Sequence, residues 1–154
     1  MAIIGRQYES LQLQKALQSQ QAEFVAIYGR RRIGKTFLIR QFFADKPCRF
    51  FEVTGIKGGD SRITEQLSEF SKEIKSVFYD DIGLQATNIS PQQTWHQALA
   101  TLNDAIALTA KLNDHQKIVL FFDELPWMAT AKSGLLEALD YYWNRYWSNN
   151  ERVI

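Results

Sequence analysis

Residues 28–39 read YGRRRIGKTFLI, and this order of residues leaves few folds open. Gly29 and Gly34 enclose four residues, and Lys35 and Thr36 follow at once, which is the G-x-x-x-x-G-K-[ST] spacing. Ahead of the stretch lies a short continuous apolar run, FVAIY at 24–28, of the kind a buried strand carries. Behind it TFLIRQFF opens a helix that should stop before Pro47. A glycine-bounded turn between a strand and a helix points successive backbone N–H groups into one concavity. The helix aims its N-terminal dipole at the same point, so the stretch is built to hold an anion, and phosphate in particular.

Each fixed position then has a chemical task. Lys35 sets a compact ammonium charge against the β and γ phosphates of a nucleotide, and the Thr36 hydroxyl is an oxygen ligand suited to Mg²⁺. The candidate binding stretch is Gly29, Arg30, Arg31, Arg32, Ile33, Gly34, Lys35 and Thr36, with Phe37 directly after. Backbone and Lys35 hold the phosphate, so the three arginine side chains should point away as a solvated basic rim that raises the local potential. The sharper alternative, that one of them reaches a neighbouring subunit, a partner domain or nucleic acid, stays open.

A second constellation stands at 118–128, IVLFFDELPWM. A strand there ends in Asp123 and Glu124, so both carboxylates emerge at the strand's C-terminal end, where open α/β sheets bind ligands. Asp123 is suited to Mg²⁺ and Glu124 to accepting the proton of an attacking water as a γ-phosphoryl group leaves. The Asp-Glu-Leu-Pro wording, without an Asn-Lys-x-Asp for guanine, favours ATP hydrolysis over a GTP switch.

The remaining pattern is that of one α/β domain with a mostly parallel sheet flanked by helices. Residues 7–19 suit a helix with Leu13, Ala16 and Leu17 on one face. CRFFEV at 48–53 is a strand with the loop TGIKGGD after it. Residues 61–78 carry the stripe Ile63, Leu67, Phe70, Ile74 and Val77, with Asp60 or Ser61 as cap. After a connection at 79–90, Ser90-Pro91-Gln92-Gln93 has a capping-box shape ahead of a helix that should bury Trp95, Leu99, Leu102 and Ile106. KIVLFF at 117–122 is a buried strand, 133–147 an aromatic-rich helix, and ERVI at 151–154 the beginning of another strand. His96 and His115 lack partners at metal-ligand spacing, and Cys48 is better placed to pack than to react. Tyr141, Tyr142, Trp143, Tyr146 and Trp147 cover more than one face of the last helix, which suits core packing with part left for an interface.

Composition narrows the setting. With 18 Lys+Arg against 17 Asp+Glu the net charge is +1, which gives no footprint for nucleic acid or an acidic membrane. A single cysteine suits a reducing compartment, the N-terminus lacks a signal-peptide pattern, and no apolar run approaches the ~20 residues that span a bilayer. The expectation is a cytoplasmic protein with no membrane role.

Taken together, IIGRQYESLQLQKAL, YGRRRIGKTFLIRQFF and IVLFFDELPWM resemble the archaeal-type ATPases of prokaryotes, within the AAA+/STAND division of phosphate-loop ATPases. The resemblance covers almost the whole chain. It implies ATP and Mg²⁺ as ligands, with Gly29, Gly34, Lys35 and Thr36 on phosphate and metal, Asp123 on the metal and Glu124 on the water. Gly5 and Arg6 match the Gly-Arg-x-x-Glu opening of such domains and would lie near the adenine. It also implies that residues 1–154 are the N-terminal part of the ATPase domain, stopping ahead of a sensor strand that lies between the phosphate-loop strand and the Asp-Glu strand. A lid or effector domain would follow, and an exposed sheet would favour self-association. The expected activity is ATP hydrolysis that drives a conformational switch. The competing reading is a nucleotide-gated interaction or scaffold module with little turnover. Nucleic-acid contact, if any, belongs to other domains.

Overall fold

The computed structural model describes residues 5–80, 89–112 and 115–154. Its centre is a parallel pair of strands, β1 (Cys48–Thr54) and β2 (Lys117–Asp123), in register from Cys48 opposite Lys117 to Thr54 opposite Asp123. Parallel strands expose two faces that must both be covered, and the period-2 alternation of side chains sorts the residues between them. Phe50, Val119 and Phe121 face helices α1 (Gln7–Gln18) and α2 (Lys35–Phe43), where Leu13, Leu38, Ile39, Phe42 and Phe43 are buried. Phe51, Val53 and Ile118 face the other layer, built from α3 (Ile63–Ile74), α4 (Trp95–Leu112) and α6 (Leu135–Arg145). A one-turn helix, α5 (Leu125–Met128), follows β2. This is an α/β arrangement with helices on both faces of a small parallel sheet.

The larger core is aromatic. Phe51, Phe70, Trp95 and Phe78 are fully buried, with Phe70 edge-on to both Phe51 and Trp95. Burying a ring of this size stabilises by about 2–3 kcal/mol, so this cluster anchors α3 and α4 on β1. Leu67, Phe70 and Ile74 of the α3 stripe are buried and Ile63 and Val77 pack beside them, as the spacing predicts.

Helix ends differ from expectation at two places. A 3₁₀ turn (Gly59–Arg62) leads into α3, and neither Asp60 nor Ser61 caps it, because Asp60 accepts from Thr130 and Ser61 donates to the Gly58 carbonyl. Helix α4 starts four residues after the Ser-Pro pair. There Thr94 Oγ1 accepts the Gln97 N–H and Gln97 Oε1 accepts the Gln93 N–H, a reciprocal bracket that does the capping. Most of the 79–90 connection lies outside the described residues.

The largest departure is at 24–28. These residues form no strand among the described residues, and Phe24 and Tyr28 are 70% and 92% exposed. The physical reason lies beside them. Residues 152–154 pair in parallel with β2, through Ile118 N–H to Arg152 C=O at 2.7 Å, Ile154 N–H to Ile118 C=O at 2.9 Å and Leu120 N–H to Ile154 C=O at 2.8 Å. The outer side of this short segment meets residue 23, whose N–H donates to Val153 C=O at 3.1 Å. That foothold stops at the base of 24–28, so the apolar run has the composition of a buried strand without a ladder to bury it. The expected start of a strand at 151–154 is therefore present, and Val153 is buried.

Glu73 of α3 shows a pH effect of the packing. Burial, with repulsion from Glu52 and Glu69, raises its carboxyl above the ordinary 4.5. A raised folded pKa stabilises the fold below the unfolded value, and that contribution is lost as pH rises through the folded value. Glu73→Gln is accordingly expected to raise the unfolding midpoint at pH 7 and to have no effect below pH 4.5, in thermal melts across that window.

Candidate functional site

Residues 29–34 pass from the exposed 24–28 run into α2 by a tight loop. Gly29, Arg32 and Gly34 have φ of 150°, 62° and 82°. Gly34 is the residue preceding α2 and sits in the left-handed region that favours glycine. At Gly29 it is the φ of 150° that favours glycine, since the nearest atom to an added β-carbon, Ile33 Cδ1 at 2.6 Å, is the movable end of an exposed side chain. Helix α2 thus begins at Lys35 with its N-terminal end at the loop.

Lys35 is folded back across the mouth of the loop, donating to the carbonyls of Gly29 and Arg30 at 2.9 Å each. Thr36 turns the other way and donates from Oγ1 to Asp123 Oδ2 at 2.9 Å. Asp123 Oδ1 accepts the Glu124 N–H at 3.1 Å, so the whole carboxylate is fixed between the two motifs. Glu124 lies in the left-handed region at φ 51°, ψ 41°, a conformation that costs a non-glycine residue of order 1 kcal/mol and that re-aims its side chain at the end of β2.

The second strand supplies the floor. Gly55 N–H donates to Asp123 C=O at 2.9 Å, extending the β1–β2 ladder by one bond. Gly55 is buried against the Glu124 carbonyl, where a β-carbon would come within 2.4 Å of that oxygen. Around the rim, Arg30, Arg31, Arg32 and Phe37 are exposed, and the Arg31 guanidinium stands 5.2 Å over the Trp127 ring. Arg6 bridges the loop to α1, donating to the Ile33 carbonyl and pairing with Glu9 at 2.9 Å, while Gly5 is exposed just before it. On α2 Arg40 is paired with Glu52 at 2.7 Å, and that hydrogen-bonded pairing raises its already high pKa.

The structure therefore gathers Gly5, Arg6, the 29–37 stretch, Asp123 and Glu124 at the C-terminal ends of the parallel strands. Residues weighed as ordinary stay outside this site. His96 packs on the rings of Tyr141 and Tyr142, His115 is exposed, and burial pushes the Cys48 thiol up, away from reactivity. Among the described residues no group of three or more His, Cys, Asp or Glu could hold a metal ion. No described helix is long and apolar enough to cross a membrane.

The site is thus a glycine-bounded loop at a helix N-terminus, hydrogen-bonded through a threonine to an Asp-Glu strand end, an arrangement suited to an anionic ligand. The comparison with protein families agrees: residues 4–154 match the ATPase domain found predominantly in Archaea, and the chain belongs to that family. No curated protein and no solved structure matches it.

Proposed function

We propose that the chain is an ATP- and Mg²⁺-binding ATPase domain of the phosphate-loop, AAA+-like kind. The observation that carries this is the Thr36–Asp123 hydrogen bond of 2.9 Å, which joins two motifs 87 residues apart at the C-terminal end of a parallel sheet. Two hard oxygen donors held together suit Mg²⁺, whose remaining positions are commonly filled by phosphate oxygens and water. The bound ion would neutralise charge on the phosphates. Lys35 would exchange its two neutral carbonyl partners for phosphate oxygens, a stronger charge-assisted bond. Backbone N–H groups of 30–36 and the α2 dipole would hold the β phosphate.

Glu124 would accept a proton from a water in line with the γ-phosphorus. The new bond forms from that water oxygen to phosphorus as the bond from phosphorus to the β–γ bridging oxygen breaks, releasing ADP and phosphate. The Arg6 link between α1 and the loop supports a nearby position for the adenine, and the Arg31–Trp127 contact gives loop occupancy a path to the segment after Glu124. Nucleotide turnover would in this way bias what docks on that side, making the domain a switch element in a cytoplasmic ATPase. Calorimetric titration with Mg-ATP tests the reading: saturable binding with one site per chain is expected, and absence of heat at millimolar nucleotide would end it.

A second reading, a nucleotide-gated interaction module, draws on the exposed apolar residues Phe24, Val25, Ile27 and Tyr28 beside the loop. It predicts binding with negligible phosphate release.

A further inference from the structure

We infer that Gln66 of α3 is a positioning residue that fixes Glu124 through the backbone of β1's exit. Gln66 is a buried polar side chain, 4% exposed, in a helix face it shares with Leu67, Phe70, Ser71 and Ile74. Buried amides are costly unless satisfied. Ser71 and Thr109, the other buried polar residues, bond back to carbonyls of their own helices, and so serve only local needs. Gln66 reaches across to another element. Its Oε1 accepts the Ile56 N–H at 2.6 Å and its Nε2 donates to the Thr54 carbonyl at 3.1 Å.

These two bonds straddle Gly55. The amide therefore holds the chain on either side of Gly55, which donates to the Asp123 carbonyl and lies against the Glu124 carbonyl, the oxygen that also accepts the Trp127 N–H at 3.0 Å. Thr54 is the last residue of β1 and is exposed, so the ladder runs out with the Gly55–Asp123 bond and gives the next residue, Ile56, no support. Without the amide clamp, the bond to Asp123 is the one hydrogen bond among the described residues that keeps Gly55 against Glu124. The strained left-handed turn at Glu124 then loses its backing and can relax toward conformations that turn the carboxylate elsewhere. The sequence offers no cue for this role, since a glutamine on an amphipathic helix ordinarily faces solvent.

This rests on Glu124 as the proposed base, so the test has one arm that needs no turnover. Hydrogen exchange is measured by NMR on the full chain for Gln66→Met and Gln66→Glu. Gln66→Met, of similar length without the amide, is expected to speed exchange at the Gly55 and Trp127 N–H groups at least tenfold, leaving Leu102 and Ile106 in α4 unchanged. Gln66→Glu keeps an acceptor for Ile56 but sets a buried carboxylate against the Thr54 carbonyl, so it is expected to accelerate exchange at the same two groups, and it stands in if the Met variant does not fold. Unchanged exchange at Gly55, or equal acceleration at all four sites, would overturn the inference by making Gln66 neutral or merely stabilising. In the second arm, Mg-ATP turnover in Gln66→Met is expected to show a tenfold or greater fall in kcat at unaltered KM. Failure of the unmodified chain to bind Mg-ATP would count against the ATPase reading, while the exchange arm still decides the clamp. A raised KM at unchanged kcat would overturn the link to Glu124.

Discussion

Replacing Lys35 with alanine is expected to weaken Mg-ATP binding by about a hundredfold in a calorimetric titration, with the unfolding midpoint nearly unchanged. The size follows from what the side chain does in each state. In the structure the ammonium rests on two neutral carbonyls, Gly29 and Arg30, at 2.9 Å. With nucleotide it would face phosphate oxygens that carry full negative charge, and a hydrogen bond to a charged group contributes about 1.5–3 kcal/mol. About 2.7 kcal/mol corresponds to the hundredfold loss. The fold should tolerate the change because Lys35 touches neither core, and substitutions away from cores and caps usually move stability by about 0.5 kcal/mol or less. Lys35→Arg is not a rescue, since a planar fork cannot occupy the place of a compact ammonium between those two carbonyls. Equal affinity in the unmodified and Lys35→Ala chains would remove phosphate binding from the 29–36 loop.

The arginine run behaves as its position suggests, and the exception is informative. Arg30, Arg31 and Arg32 are all solvent-exposed, as a basic rim requires. Among the described residues Arg31 alone of the three side chains finds a partner, the ring of Trp127. That contact joins the two motifs a second time, outside the Thr36–Asp123 bond, and could not be read from either stretch taken singly.

Local geometry was legible in the sequence where a residue's placement depends on its immediate neighbours. The loop glycines, the order Lys35-Thr36 and the emergence of Asp123-Glu124 from β2 all follow from short-range spacing, and the structure brings these residues together. The α3 stripe was legible for the same reason, because a 3.6-residue period decides which side of a helix is dry. What failed depended on partners distant in the chain. FVAIY at 24–28 has the residues of a buried strand, yet burial is conferred by a neighbouring strand, and 152–154 reach only its base. Gln66 was missed because its partners, Thr54 and Ile56, belong to another element. The α4 start was misplaced because two capping candidates, Ser90 and Thr94, stand four residues apart. Thr94 has the glutamine three residues on that actually bonds back to the preceding turn.

Glu124→Gln is expected to separate the two functional readings most sharply. The substitution keeps length and shape, and the backbone bond from residue 124 to Asp123 Oδ1 does not involve the replaced group. Nucleotide affinity should therefore stay within about twofold, because the groups proposed to face the phosphates are Lys35, Thr36 and the loop backbone. An amide cannot take a proton from water, and losing a positioned general base slows a reaction by roughly 10²–10⁴. Phosphate release is thus expected to fall by that factor while calorimetric binding persists. Should the unmodified chain and the variant release phosphate at the same rate, Glu124 is not the base, and the exposed apolar run beside the loop becomes the better guide to function. The left-handed backbone at 124 makes the comparison clean: glutamine occupies it with the same strain as glutamate, so a difference in rate reports the carboxylate and not the turn.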